Sequence, residues 1–133
     1  MTIVNVVIAD DHSMVREGLK QLLELEGDIK VIAEAGDGKQ CLDVVRRAKP
    51  DVLLLDINMP EMNGLQVLEE LRYQKSDVKI LILTIHNEIE YLMKAVDIGV
   101  DGYVLKDSDS SLLKKAIFAV AKGETFIQPS LTP

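Results

Sequence analysis

Several residues able to do chemistry together sit at the ends of apolar runs. Asp56 ends Val52 to Leu55, Asp10 and Asp11 end Ile3 to Ala9, Thr84 ends Val78 to Leu83, and Lys106 ends Gly102 to Leu105. A carboxylate delivered by a buried run is costly to desolvate unless something pairs with it, so Asp56 needs partners. Carboxylates drawn together repel and raise one another's pKa unless a cation sits among them. Hard oxygen ligands with room for water suit Mg2+. A carboxylate is also a nucleophile toward phosphorus and gives an aspartyl phosphate. In such a site Asp56 is the acceptor. Mg2+ and Lys106 stabilise charge on the transferring phosphoryl group, and Thr84 hydrogen-bonds one of its oxygens. Each residue has a plainer use: the acidic pair can cap a helix, as can Ser13, Thr84 is ordinary at a strand end, and Lys106 can be a solvated loop lysine. The set carries the phosphate-and-metal reading, because the plain account must explain each terminus separately.

Strands and helices must alternate to bring these ends together. With Ile29 to Ala35 there are five short apolar, β-branched-rich runs. They are mostly continuous, as parallel strands buried on both faces read. Between them lie helical stripes: Val15, Leu19, Leu22 and Leu23 in one segment, and Ile89, Leu92, Met93 and Val96 in another. Asn63 with Gln66 and Asn87 with Glu90 have the spacing of capping boxes, and Gly99 can end the helix before the fifth run. A last helix is expected from about Ser110 to Lys122, stopping at Gly123. The βα rhythm implies one parallel sheet with helices on both faces, and sites at the carboxyl ends of its strands. The segment ETFIQPSLTP after Gly123 reads as an irregular tail or the start of a linker.

Composition narrows the function classes. At 133 residues, with 47% hydrophobic residues, the chain reads as one globular domain. Its formal charge of −7 disfavours direct contact with nucleic acid or an anionic membrane. The basic doublets Arg46-Arg47 and Lys114-Lys115 read as solvated helix faces. The single cysteine, Cys41, lies among Leu42 and Val45 at helical spacing and reads as a buried, inert thiol compatible with a reducing compartment. No signal peptide and no stretch of ~20 apolar residues is present, so a soluble, cytoplasmic protein without membrane contact is expected.

The segments ADD (Ala9 to Asp11), LLLDINMPEMNGL (Leu53 to Leu65), ILT (Ile82 to Thr84) and GYVLK (Gly102 to Lys106), in this order and spacing, closely resemble the receiver domains of two-component response regulators. The resemblance covers about Val4 to Lys122. It implies a flavodoxin-like α/β fold: a single doubly wound five-stranded parallel sheet of order 2-1-3-4-5 with helices on both faces. It implies that Asp56 accepts a phosphoryl group from a phosphohistidine on a sensor histidine kinase. Asp11, Asp56 and the backbone carbonyl of Asn58 would hold Mg2+, with Asp10 acting through a metal-bound water. Thr84 and Lys106 would contact the phosphoryl oxygens, and Thr84 and Tyr103 would form the switch. Such a domain catalyses only its own phosphorylation and dephosphorylation, and is not an enzyme toward other substrates.

The run LLKKAIFAVAKGETFIQP is similar to the last helix and exit segment of NarL/FixJ-type regulators, in which a helix-turn-helix DNA-binding domain follows. The implied organisation is a receiver over 1–123, then a tail or linker over 124–133 leading to a DNA-binding domain absent from this chain. Homodimerisation on activation and control of transcription follow from the same resemblance. Two departures stand out. Asp107 follows Lys106 where many receivers have proline, and Ile85, which could narrow access to the phosphate, follows Thr84 where many have a small residue. His86 stands where a side chain can gate the hydrolytic water, with a solvated loop histidine as the plain alternative, and His12 is expected exposed near the first helix start. Rival readings fare worse. A haloacid-dehalogenase-type phosphohydrolase has a general-acid aspartate where Asn58 stands, and its nucleophile lies on the first strand. A flavin or nucleotide module would use Gly36-Asp37-Gly38 as a dinucleotide turn, but Cys41 replaces its third glycine.

Overall fold

A computed structural model describes residues 2–131 of the chain. Its strands are β1 (Val4–Ala9), β2 (Ile29–Ala35), β3 (Val52–Leu55), β4 (Lys79–Thr84), β5 (Gly102–Leu105) and β6 (Phe126–Ile127). Its helices are α1 (Ser13–Glu24), α2 (Gly38–Ala48), α3 (Gly64–Tyr73), α4 (Ile89–Ile98) and α5 (Ser110–Ala121). All strand pairs are parallel, in the order β2-β1-β3-β4-β5-β6.

The period of two along each strand divides the core in two. Val7, Leu53, Leu55, Ile80, Ile82 and Tyr103 meet Cys41 and Val45 of α2, Val67, Leu68 and Leu71 of α3, and Leu92 and Ala95 of α4. Val6, Ile8, Val52, Leu54, Leu81 and Val104 meet Leu23 of α1 and Leu113, Ala116, Ile117 and Val120 of α5. Burial pushes the Cys41 thiol up to about 12, the inert thiol expected from its helical spacing.

The first five strands follow the expected order, but the sheet has a sixth member. The segment after Gly123, expected to be irregular, returns along the β5 edge. Phe126 N–H donates to the Asp101 carbonyl at 3.0 Å and Gln128 N–H to the Tyr103 carbonyl at 2.9 Å. Phe126 packs on one core cluster and Ile127 on the other, so the pairing is held by side chains on both faces. A short 3-10 turn, Pro129–Leu131, follows, and residues 132 and 133 of the expected tail lie outside the described residues.

Two helix expectations are corrected. The α4 stripe is only partly inward: Leu92 and Ala95 are buried, whereas Ile89, Met93 and Val96 are about half exposed. Periodicity shows where a helix is apolar, but only packing decides which edge of the stripe is covered. The box at Asn63–Gln66 forms with both bonds, at 3.0 and 2.9 Å. The one expected at Asn87 does not, because α4 begins one position later with Glu88 as an N-cap that makes no side-chain bond.

Arg72 locks the end of the sheet opposite the candidate site. Its guanidinium donates to the carbonyls of Gly99 at 2.9 Å and Val78 at 3.1 Å, and to Asp101 at 2.6 Å. The same Asp101 oxygen accepts the Ile80 N–H at 2.8 Å. Arg72→Met strips a partly buried carboxylate of its charge partner and two carbonyls of their donor. A loss of about 2–4 kcal/mol in urea unfolding is expected, with the site residues unmoved.

Candidate functional site

The parallel sheet delivers each chosen residue to its carboxyl edge. The ladder continues one step beyond the strands: Asp56 N–H donates to the Ala9 carbonyl at 3.0 Å, and Lys106 N–H to the Thr84 carbonyl at 2.8 Å. Those bonds fix where the Asp56 and Lys106 side chains begin. Gly64, at the start of α3, lets the loop that follows β3 fold back against Asp56 and Ile57. A Cβ there would run into the Asp56 carbonyl oxygen and the Ile57 Cα, both backbone atoms with no room to give. Gly64→Ala is therefore expected to cost about 1–3 kcal/mol and to displace Asp56, visible as faster amide exchange at Ile57 and Asn58.

Lys106 joins two of the carboxylates. Its Nζ donates to Asp10 Oδ2 at 2.8 Å and to Asp56 Oδ2 at 3.1 Å. Only 3% of the Asp10 side chain, 4% of Asp56 and 20% of Lys106 is exposed, so these charges interact with little screening by water. The two acids respond in opposite directions. Burial pushes both up. At Asp10 the hydrogen bonds from Lys106 and from the His12 backbone, with the Lys106 charge, outweigh it and the net direction is down. At Asp56 the same ammonium offsets burial less, the Asp10 charge adds to it, and the net direction is up. Burial alone would lower Lys106, but its bond to Asp10 and the two negative charges hold it above the ordinary lysine value.

The second Asp56 oxygen is different. Among the described residues, Oδ1 of Asp56 is a buried side-chain oxygen with no hydrogen-bond partner. A buried charged group with an orphan acceptor is expensive and rare, and marks an atom reserved for something else. Asp11, about one-third exposed, lies at the mouth beside Asp10. Neither the acidic pair nor Ser13 caps α1. Its N-cap is His12, with no side-chain bond, so the plain account of the pair fails.

Other expected residues are brought close, with some differences. Thr84 is fully buried, and its Oγ1 accepts the His86 N–H at 3.1 Å. Tyr103, expected in the switch, does not sit at the surface. Instead the whole residue is buried and the hydroxyl donates to the His86 carbonyl at 2.8 Å. Burial, then the nearby Glu88 and Tyr91, push that phenol up to about 12, so it remains a donor at neutral pH. Ile85, which follows Thr84, is 67% exposed. His86 is not a free loop histidine. Its Nε2 lies 3.0 Å from Asn58 Oδ1 and its ring stacks on Tyr91 at 4.2 Å, so it spans from the β4 loop to the β3 loop.

The donor set fits a divalent cation. Asp10, Asp11 and His12 offer ligand atoms that all lie within 4.8 Å of one another, and the acidic oxygens with the orphan Asp56 Oδ1 are of the hard type that such ions prefer. The Asp56 carboxylate, expected in the same set, is not within that compact group. Asp56 instead reaches Asp10 through Lys106. His12 is exposed, as expected, but its Nδ1 lies 3.2 Å from Asp10 Oδ1 and 3.0 Å from Asp11 Oδ1, a proximity only its position after the pair hinted at. Arg16, unremarked in the sequence, donates to the Asp10 carbonyl and to Glu34 at 3.0 Å, tying α1 to this end of the sheet. At Gly36-Asp37-Gly38 the Asp37 carboxylate accepts the Gln40 N–H at 2.7 Å, which makes it an N-cap of α2.

The model of the response regulator receiver domain matches residues 6–118. The chain is 47% identical over 118 residues to the nitrate/nitrite response regulator protein NarP of Escherichia coli, covering 89% of this chain and 55% of that protein. It is 39% identical over 129 residues to the transcriptional regulatory protein DegU of Brevibacillus brevis, covering 97% of this chain and 55% of that one. It thus spans little more than half the length of these relatives. Among solved structures, the signal receiver domain of NarL from Mycobacterium tuberculosis superposes with a TM-score of 0.89 at 37% identity, covering 93% of this chain and 100% of that one. The isolated REC domain of RcsB from Salmonella enterica serovar Typhimurium, in the presence of phosphomimetic BeF3-, gives 0.88 at 28% identity, covering 98% and 96%.

Proposed function

We propose, from the premise that this chain belongs to the response regulator receiver domain family, that it is a signalling domain that accepts a phosphoryl group on Asp56. The observation that carries the assignment is the orphan Oδ1 of Asp56, buried beside an ammonium. Oδ1 attacks phosphorus, the bond from phosphorus to the donor's nitrogen breaks, and the electron pair leaves with the donor. Lys106 already contacts Asp56 and is placed to take a phosphoryl oxygen as negative charge collects there. Thr84, whose Oγ1 now accepts the His86 N–H, would donate its own hydroxyl proton to another phosphoryl oxygen, and the buried Tyr103 would follow the rearranged loop. Asp11, Asp56 and the Asn58 carbonyl would hold Mg2+, with Asp10 acting through a bound water. The ion supplies charge neutralisation on the phosphoryl oxygens.

In the whole protein the donor would be a sensor histidine kinase in the cytoplasm, and the output transcription through a DNA-binding domain outside this chain. The relatives named as transcriptional regulators support that reading. Among the described residues no helix is long and apolar enough to cross a membrane. Homodimerisation on activation has an apolar surface available in Ile89, Met93 and Val96 of α4. The test is intact mass after incubation with acetyl phosphate, with and without Mg2+, followed by peptide mapping. A single Mg2+-dependent phosphoryl adduct on Asp56 is expected. An adduct elsewhere, or none in a folded protein that also fails to bind beryllofluoride, would refute the assignment.

A further inference from the structure

Beside Lys106 lies a contact that the phosphoacceptor reading does not use. Where β6 ends, the next ladder bond on the β5 edge is made by a side chain. The Leu105 N–H donates to Gln128 Oε1 at 2.7 Å, and the Ser108 hydroxyl donates to the same oxygen at 2.8 Å. A backbone N–H can only donate, so the amide oxygen must face it, and its two lone pairs accommodate both donors. The Gln128 amide nitrogen donates in turn to Ser130 Oγ at 3.1 Å, and the Gln128 backbone N–H to the Tyr103 carbonyl at 2.9 Å. One residue thus grips the chain immediately before Lys106, two positions after it and three positions before it.

From these bonds we infer that Gln128 is a positioning residue for Lys106, so that the exit segment tunes how fast Asp56 takes a phosphoryl group. The inference rests on the phosphoacceptor reading and deepens it. Lys106 hangs from a short stretch whose backbone is fixed on the β4 side by its own N–H on the Thr84 carbonyl, at 2.8 Å. On the opposite side the fixing bond is the one from Leu105 to Gln128. Without that acceptor, the turn from Leu105 to Ser108 keeps its internal Ser108 N–H bond to the Leu105 carbonyl, at 3.1 Å, but is held from the β4 side alone and gains freedom to pivot about that edge. The ammonium must contact Asp10, Asp56 and then the incoming phosphoryl oxygen, so a pivot at its base reduces the fraction of time spent in the productive geometry. The coupling is reciprocal: a phosphoryl group that draws Lys106 inward also strains the grip on Gln128 and the segment behind it.

The experiment measures the initial rate of adduct formation with acetyl phosphate and Mg2+ in the full chain. Gln128→Leu keeps bulk without an acceptor, and Gln128→Glu keeps the acceptor oxygen. Both are made in the wild-type chain and in Lys106→Met. The expected result is a roughly three- to tenfold slower rate for Gln128→Leu, the size of one lost hydrogen bond. Gln128→Glu should recover most of it, and Gln128→Leu should cause no further slowing once Lys106 is gone. A wild-type rate in Gln128→Leu, a Glu variant as slow as Leu, or equal slowing in both backgrounds would overturn the inference. A second reading needs no variant: the Leu105 amide and the Gln128 side-chain amide resonances should shift on adding beryllofluoride, and unmoved resonances in a protein that binds it would also overturn the inference. A wild-type chain that forms no adduct refutes the phosphoacceptor reading itself, whereas a normal wild-type adduct with indifferent Gln128 variants refutes the inference alone.

Discussion

Asp56→Asn is expected to abolish the phosphoryl adduct and, at neutral pH, to make the folded chain more stable by about 1 kcal/mol. The loss of the adduct follows from chemistry, because an amide oxygen is a poor nucleophile toward phosphorus. The gain in stability follows from the balance of forces on the carboxylate. Burial raises the Asp56 pKa, the Lys106 charge offsets part of this, and the Asp10 charge adds to it, leaving the net direction up from 3.8. For an acid with a raised folded value, the contribution to stability is present below the unfolded pKa and is lost as pH rises through the folded one. At neutral pH the ionised group is therefore a net cost, and its orphan Oδ1 shows where that cost arises. Asparagine removes the charge while Lys106 keeps its 2.8 Å bond to Asp10. Urea unfolding should show the variant ahead of wild type near neutral pH, with the gap closing as pH falls toward 3.8. Mg2+ should stabilise wild type more than the variant. A variant less stable than wild type at neutral pH would mean that the Lys106 pair outweighs burial.

How far the sequence carried this reading depended on what each residue's position records. Asp10, Asp56, Thr84 and Lys106 were legible because a parallel strand buried on both faces is an apolar run, and the first polar residue after it marks the edge of the sheet. The Asn63–Gln66 box was legible because its bonds are local. β6 was not. Two residues, Phe126 and Ile127, have no period to read, and their pairing depends on an open β5 edge far away in sequence. The exposed α4 residues were not legible because burial is decided by what packs against an element, not by the element's own pattern. The grips of Arg16 and Gln128 were invisible for the same cause, since polar side chains at these positions usually face water. What remained legible was the chemistry, and what did not was the set of long-range polar contacts that hold it in place.

Lys106→Met should be the most destabilising single change at the site, lowering stability at neutral pH by about 3 kcal/mol and slowing phosphoryl acceptance by about a hundredfold. The lysine is the charge shared by two carboxylates whose side chains are 3% and 4% exposed. Removing it leaves both ions buried and facing each other, a larger penalty than the pair itself is worth. The pH window follows from the directions of the shifts. The folded Asp10 value lies below 3.8, so its contribution is complete above that pH and is lost as pH falls through the folded pKa. The folded Lys106 value lies above 10.5, so its contribution is complete below that pH and is lost as pH rises through the folded pKa. The stability gap between wild type and Lys106→Met should therefore be wide at neutral pH, close from the acid side as the two unpaired carboxylates of the variant take up protons, and close from the basic side as pH rises through the folded Lys106 pKa. A second substitution separates repulsion from lost packing. In Lys106→Met the added Asp56→Asn should restore more stability than it gives the wild-type chain, because it then removes one of two unpaired like charges. Equal gains in both backgrounds would place the damage in the lost methylene packing of the lysine stem. The rate has a separate check: Lys106→Arg keeps a cation but not the point charge or the reach, and should recover stability while remaining slow. Stability and rate returning together would mean that charge alone, and not the position of the ammonium between Asp10 and Asp56, governs the site.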